Sequence, residues 1–231
     1  MFHVVPDPDV LPPEVARCSV AVDLHDAHGD LAAAFAGLAV PERLRDAVRK
    51  RHIEYLAGRW CAREAMRARH PGHAHLAVST RHDRAPAWPD GLVGSITHTQ
   101  GFASAAVADG RVVRSIGVDS EVTFTVERAR RLGGQFARPG ELAALAGGAW
   151  DEAVIATAVF SAKESVYKCL HPFVQEFFGF HAAEVVALGA DGALRVRLVE
   201  GLTHEFRAGY ELCGRVVVTE GHVHTGLAIG R

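Results

Sequence analysis

Two short stretches carry the side chains with the clearest chemistry. In SIGVDSE, Ser115 to Glu121, strand geometry would put Asp119 and Glu121 on one face and turn Ser120 away. Two carboxylates this close repel unless one keeps a proton or a cation lies between them, so the pattern invites a divalent metal. A strand running out into solvent would carry the same residues. In FSAKESVYK, Phe160 to Lys168, a helix would project Glu164 and Lys168 from one face one turn apart, with Lys163 at its margin. Taken alone, such a pair is a solvated helix feature worth about 0.2–0.5 kcal/mol.

A second set is cationic. His98 follows the apolar run of GSITH, and Arg49, Lys50, Arg51, Arg59 and Arg63 gather on one basic segment, with Arg84 ahead of APAWP. Arginines so placed either solubilise a helix or pair fork-like with phosphates. The chain as a whole has a formal net charge of -2, which excludes bulk attraction to nucleic acid or to an anionic membrane, so any phosphate binding must be local.

The elements that must position these groups follow from periodicity. PERLRDAVRKRHIEYLAGRWCAREAMRARH, from Pro41 through His70, reads as one long helix or two closely spaced ones. LVGSITH and FASAAVA read as strands, and Asp109-Gly110 reads as a hairpin turn before RVVRSIGVDSE, giving a short antiparallel meander. Helices are expected at 126–131, 139–146 and 150–170. In the last of these, Val154, Ala158, Ala162, Val166 and Cys169 or Leu170 form an apolar stripe, opposite a polar one of Thr157, Ser161, Glu164, Ser165 and Lys168. The tail returns to strands: AEVVALG and ALRVRLV around Asp191-Gly192, then HEFRAGYEL, RVVVTE and VHTGLAI.

Helix then strands, twice, predicts an α+β fold of two pseudo-equivalent halves, 1–113 and 114–231, in one compact unit with the site at their junction. With 231 residues, 48% of them hydrophobic, the chain can bury its core without disulfides. Cys18, Cys61, Cys169 and Cys213 are widely separated and form no C-x-x-C pair, so they are expected as reduced thiols in a cytoplasmic protein. The first residues lack the basic start and apolar run of a signal peptide. The longest uncharged apolar run, Leu31 to Val40, falls short of the about 20 residues that span a bilayer, so no membrane association is expected.

In combination and in chain order, GRWCARE, RAPAWPDG, GSITH, IGVDSE and FSAKESVYK resemble the 4′-phosphopantetheinyl transferases of the surfactin-synthetase and enterobactin-synthetase type, over roughly Val48 to Lys168. The resemblance implies transfer of the phosphopantetheine arm of coenzyme A to a serine of an apo acyl, peptidyl or aryl carrier protein, with release of adenosine 3′,5′-bisphosphate. It implies Mg2+ held by Asp119, Glu121 and Glu164, with Glu164 also the general base and Lys168 stabilising phosphate charge. It further implies coenzyme A contacts from Arg51, Arg59, Arg63, Arg84, Thr97, His98 and Lys163, siderophore, polyketide or lipid assembly as the pathway, and a monomer. The alternatives are a non-catalytic coenzyme A-binding protein and a metal-dependent hydrolase of the coenzyme A pyrophosphate.

Overall fold

ARCSVAV and FASAAVAD form strands that are mostly buried, and the first is too short and too small in its side chains to stand out in the sequence. The computed structural model describes residues 2–25, 29–69, 71–73 and 75–231, and the chain divides into two compact units. One comprises the residues up to Asp7 with Pro13–Val113, the other Pro8–Pro12 with Arg114–Arg231.

In the first unit β1 (Phe2–Val5), β2 (Ala16–Val22), β5 (Leu92–Thr99) and β6 (Phe102–Asp109) form an antiparallel sheet in the order β1-β2-β6-β5. The short helix α1 (Leu31–Ala34), the long helix α2 (Arg49–Arg69) and a small ribbon of β3 (Ser79–Thr80) with β4 (Pro86–Ala87) lie between β2 and β5 in the chain. α2 buries Ile53, Leu56, Cys61, Ala62 and Met66 with Val20, Ala103 and Val107. Gly58 lets it lie close on β5, since a Cβ there would be 2.8 Å from Ile96 Cγ2. The expected helix over this segment begins later, at Arg49, after a single 3-10 turn at Glu42–Leu44; its expected last residue, His70, lies outside the described residues.

In the second unit β7 (Val113–Val122) leads into α3 (Val126–Phe136), α4 (Glu141–Leu145) and α5 (Glu152–Val174), followed by β8 (Ala183–Leu188), β9 (Ala193–Leu198), β10 (Glu211–Thr219) and β11 (His222–Gly230). The sheet order is β7-β11-β10-β9-β8. α5 starts where the Asp151 carboxylate accepts a hydrogen bond from Val154 N at 2.8 Å, and it stops at Gln175, whose φ of 56° is left-handed. Val159, Ala162, Val166 and Leu170 of α5 meet Val196, Leu198, Phe206 and Leu227 in the core.

The architecture is α+β as expected, with three corrections. Asp109-Gly110 is a local turn, held by Arg111 on the Asp109 carboxylate, but it does not join paired strands. Both edges of β6 are already taken, by β2 and β5, so β7 pairs in the other sheet and the expected meander does not form. HEFRAGY is irregular up to Tyr210, because Phe206 is buried between Phe173 and Tyr210 and draws the segment into the core instead of along an edge. The third correction is electrostatic and concerns Lys163.

Lys163 is buried, and its ammonium donates to Glu141 Oε2 and Phe136 O, each at 2.7 Å. Glu141 also accepts from Arg138 N and Val185 N, both at 2.7 Å, so one carboxylate joins α4, α5 and β8. Burial pushes the Lys163 pKa down, and the Glu141 charge opposes that shift. That ammonium is engaged by Glu141 and Phe136 O, a geometry that does not support the expected coenzyme A contact from Lys163. Removing one partner of a buried pair strands the other, so Lys163→Met is expected to lose about 3–5 kcal/mol. The loss should appear as a lower urea midpoint at unchanged m value, and Lys163→Met with Glu141→Gln should lose less than Lys163→Met alone.

Candidate active site

β7 presents Ser115, Gly117, Asp119 and Glu121 on one face by simple alternation. That face meets α5: Ser115 Oγ donates to Cys169 O at 2.6 Å, and a Cβ added at Gly117 would lie 1.8 Å from Ser165 O. Two residues further along, Lys168 Nζ donates to Asp119 Oδ1 at 2.7 Å and to Val118 O at 3.0 Å. The Asp119 side chain is only 5% exposed against 26% for Lys168, so the carboxylate is enclosed while the ammonium reaches the surface. Ser120 points the other way, where its Oγ lies 2.9 Å from His224 Nδ1. His224 Nε2 lies 2.9 Å from Thr219 Oγ1, and burial pushes the imidazole down to about 4, which keeps it neutral.

Glu121 and Glu164 complete an acidic patch. Burial first, and then the Asp119 charge, push the Glu121 carboxyl up to about 7; Lys168 and Arg128 oppose that shift and Glu164 adds to it. Glu164 is raised by burial, opposed by Lys168 and reinforced by Asp119. The three carboxylates therefore share one field, and they offer hard oxygen donors of the kind that Mg2+ takes. Among the described residues, however, no three His, Cys, Asp or Glu side chains stand together as a formed metal site, and the cation on Asp119 is the Lys168 ammonium. All four groups belong to the second unit, so β7 and α5 meet within a single unit.

A hollow of about 170 Å3 opens beside Glu164, lined by Tyr167, Phe178 and Phe180, with Phe177 85% exposed at its lip. A larger cleft of about 760 Å3 among α3, α4 and the start of α5 is lined by small residues such as Gly133, Ala137 and Ala143, and touches none of the four charged groups. The aromatic wall was not anticipated, because FFGF follows the end of α5 and only the chain reversal at Gln175 returns it to Tyr167, 5.0 Å between ring centres for Phe178. Arg128 was missed likewise; its guanidinium lies 4.1 Å from the centre of the Phe124 ring and acts on Glu121.

The remaining expected contacts lie in the first unit. Arg51 Nη1 is 3.3 Å from His98 Nε2, which joins the start of α2 to the end of β5. Arg59 donates to Thr80 Oγ1 at 2.9 Å and lies over the Tyr55 ring at 4.8 Å, with Arg43 donating to the same Thr80 oxygen at 3.1 Å. Arg43, Tyr55 and Thr80 were not anticipated; Tyr55 stands one helical turn from both Arg51 and Arg59, which is the signal that was available. A rise of about 1.5 Å per residue separates Arg51 from Arg59 by roughly 12 Å, so the two serve different points. Arg63 donates to Ala36 O at 3.1 Å. Arg84 occupies the turn between β3 and β4 with φ of 70°. Thr97 is buried on the face of β5 opposite His98.

Residues 40–108 match the 4′-phosphopantetheinyl transferase N-terminal domain, and residues 115–223 match the 4′-phosphopantetheinyl transferase superfamily. The chain is 36% identical over 193 residues to 4′-phosphopantetheinyl transferase Svp of Streptomyces mobaraensis, covering 79% of this chain and 74% of that protein. It is 30% identical over 199 residues to 4′-phosphopantetheinyl transferase PptT of Mycobacterium tuberculosis, covering 79% and 81%. Against enterobactin synthase component D of Salmonella typhi it is 36% identical over 149 residues, covering 64% and 60%. The matched span carries Asp119, Glu121, Glu164 and Lys168 on the strand and helix just described, and the chain belongs to the 4′-phosphopantetheinyl transferase superfamily.

Proposed function

We propose that this protein transfers 4′-phosphopantetheine from coenzyme A to a serine hydroxyl of an apo acyl, peptidyl or aryl carrier protein, releasing adenosine 3′,5′-bisphosphate. The observation that carries the residue assignment is the Lys168–Asp119 contact of 2.7 Å beside Glu164 and Glu121, within the matched span. Glu164 borders the aromatic hollow, which supports it as the group that takes the serine proton. The serine oxygen forms a bond to the pantetheine-side phosphorus as the bond from that phosphorus to the leaving bisphosphate breaks. Lys168, the more exposed partner of its pair, neutralises charge on the departing phosphate oxygen. Asp119, Glu121 and Glu164 would hold Mg2+, which when bound supplies positive charge at the pyrophosphate oxygens.

In the first unit Arg51 with His98 suits the 3′-phosphate, a pair of donors at one point. Arg59, with Arg43 and Tyr55, suits the adenine nucleotide. Both family segments lie in one chain, which supports a monomeric enzyme of two pseudo-equivalent halves. The likeness to enterobactin synthase component D supports a carrier of siderophore assembly. No helix among the described residues is long and apolar enough to cross a membrane, in keeping with action on a soluble carrier in the cytoplasm.

Incubation with coenzyme A, Mg2+ and a panel of apo carriers should add one phosphopantetheine arm to at least one carrier, read by intact-protein mass. Release of adenosine bisphosphate without any carrier, or tight coenzyme A binding with no transfer to any carrier, would overturn the reading. Asp119→Ala and Lys168→Ala are each expected to lower kcat about 100-fold or more, the scale for removing a charge aimed at a transition state. Arg51→Ala and His98→Ala should instead raise the KM for coenzyme A about tenfold with kcat nearly kept, because they touch phosphate away from the reacting bond.

A further inference from the structure

The polar stripe of α5 faces the sheet. Thr157, Ser161 and Ser165 are all fully buried, four residues apart on one helix face. Thr157 Oγ1 donates to Ala153 O at 2.7 Å and accepts from Phe124 N at 2.9 Å, which ties the helix to the segment following β7. Thr225 of β11, also fully buried, has its Oγ1 2.8 Å from both Ser161 Oγ and Ser165 Oγ, and Ser165 Oγ lies 3.2 Å from Thr225 O. On the neighbouring strand Gly117 leaves no room for a methyl group beneath Ser165 O. Glu164 is the residue before Ser165, and Lys168 follows one turn later.

We propose that Gly117 and the buried hydroxyls of Ser161, Ser165 and Thr225 are positioning residues, which fix how closely and at which axial register α5 lies on β7 and β11. This rests on the assignment of Glu164, Lys168, Asp119 and Glu121 to the reacting centre. An apolar seam tolerates sliding, because one methyl replaces another with little loss. A hydroxyl seam does not, since each buried hydroxyl left without its partner loses the bond that offset its removal from water. Sliding α5 by one turn, about 5.4 Å, would carry Lys168 away from Asp119, and although hydroxyls four residues apart could meet Thr225 again, either Ala153 would replace Thr157 at Phe124 N or Cys169 would replace Ser165 at Thr225. Gly117 sets the perpendicular distance and the hydroxyls set the position along the axis, so together they leave one placement for Glu164 and Lys168.

The test uses the full chain with Thr225→Val, which keeps shape and loses the hydroxyl, Thr225→Ser, which restores it, Gly117→Ala, and Val196→Ala as a core variant on β9, outside the hydroxyl seam. Three quantities are read: kcat and KM for coenzyme A, the urea midpoint, and Mn2+ affinity of the protein alone by electron paramagnetic resonance. Misplacement by about 1 Å costs on the order of 100-fold in rate, so folded Thr225→Val should lose tenfold or more in kcat with KM changed less than threefold and with weakened Mn2+ binding. Thr225→Ser should recover to within threefold, and Val196→Ala should lose stability while keeping kcat. Wild-type kcat and Mn2+ affinity in folded Thr225→Val would overturn the proposal, as would a loss no larger than Val196→Ala shows at equal stability. Should Gly117→Ala fail to fold, the two Thr225 variants decide. Should the wild-type chain transfer nothing, the activity reading falls, and unaltered Mn2+ affinity in Thr225→Val would separately overturn the positioning role.

Discussion

An almost fully enclosed carboxylate, Asp119, held by a partly exposed ammonium, Lys168, is the contact around which the second unit is arranged. Burying an ionised carboxylate is costly unless a charge and hydrogen bonds meet it. Lys168 does so at 2.7 Å, and it can only because α5 lies on β7 at glycine distance. Longer side chains at Gly117 or Ser165 would hold the backbones apart and leave Asp119 enclosed without its cation. The approach of helix and strand, the small residues that allow it, and the charge pair are one structural fact.

The same helix carries two lysines with opposite uses. Lys163 turns inward to Glu141, and Lys168, five residues on, turns to the acidic patch. Both are equally basic in the sequence, and the difference lies in what each meets, a carboxylate lifted into the core by α4 or one presented at the strand end. The first pair ties α4 and β8 to α5 and so steadies the helix from behind, while the hydroxyl seam steadies it from in front. The charged groups singled out as candidates divide between the units: Asp119, Glu121, Glu164 and Lys168 in one, Arg51, Arg59 and His98 in the other, within a chain of nearly balanced overall charge.

Particular elements show what could be read in advance. The alternation of β5 and β7 and the start of α5 follow from local period and capping, and both were legible. The N-terminal strands were not, because FHVV and ARCSVAV become strands through pairing with each other and with β6 rather than through any strong local signal. The Asp109-Gly110 turn was read correctly as a turn and wrongly as a hairpin, since turn chemistry is local and strand partnership is settled by which sheet edges are free. Thr157, Ser161 and Ser165 were read as a polar stripe opposite the apolar one because hydroxyls count as polar, whereas small hydroxyls whose bonds are met, by Ala153 O and Phe124 N for Thr157 and by Thr225 for the two serines, can be buried.

What the sequence determined by itself is the local geometry of four charged groups: Asp119 and Glu121 two apart on a strand, Glu164 and Lys168 four apart on a helix. Those spacings are fixed by backbone periods of two and 3.6 residues, which need no tertiary context. The tertiary structure decided which of these groups share one field, which lysine is structural, and which aromatic rings wall the hollow beside Glu164. Such questions turn on close approach between segments distant in the chain, and the room for that approach is set by side-chain volume and hydrogen-bond satisfaction at the contact.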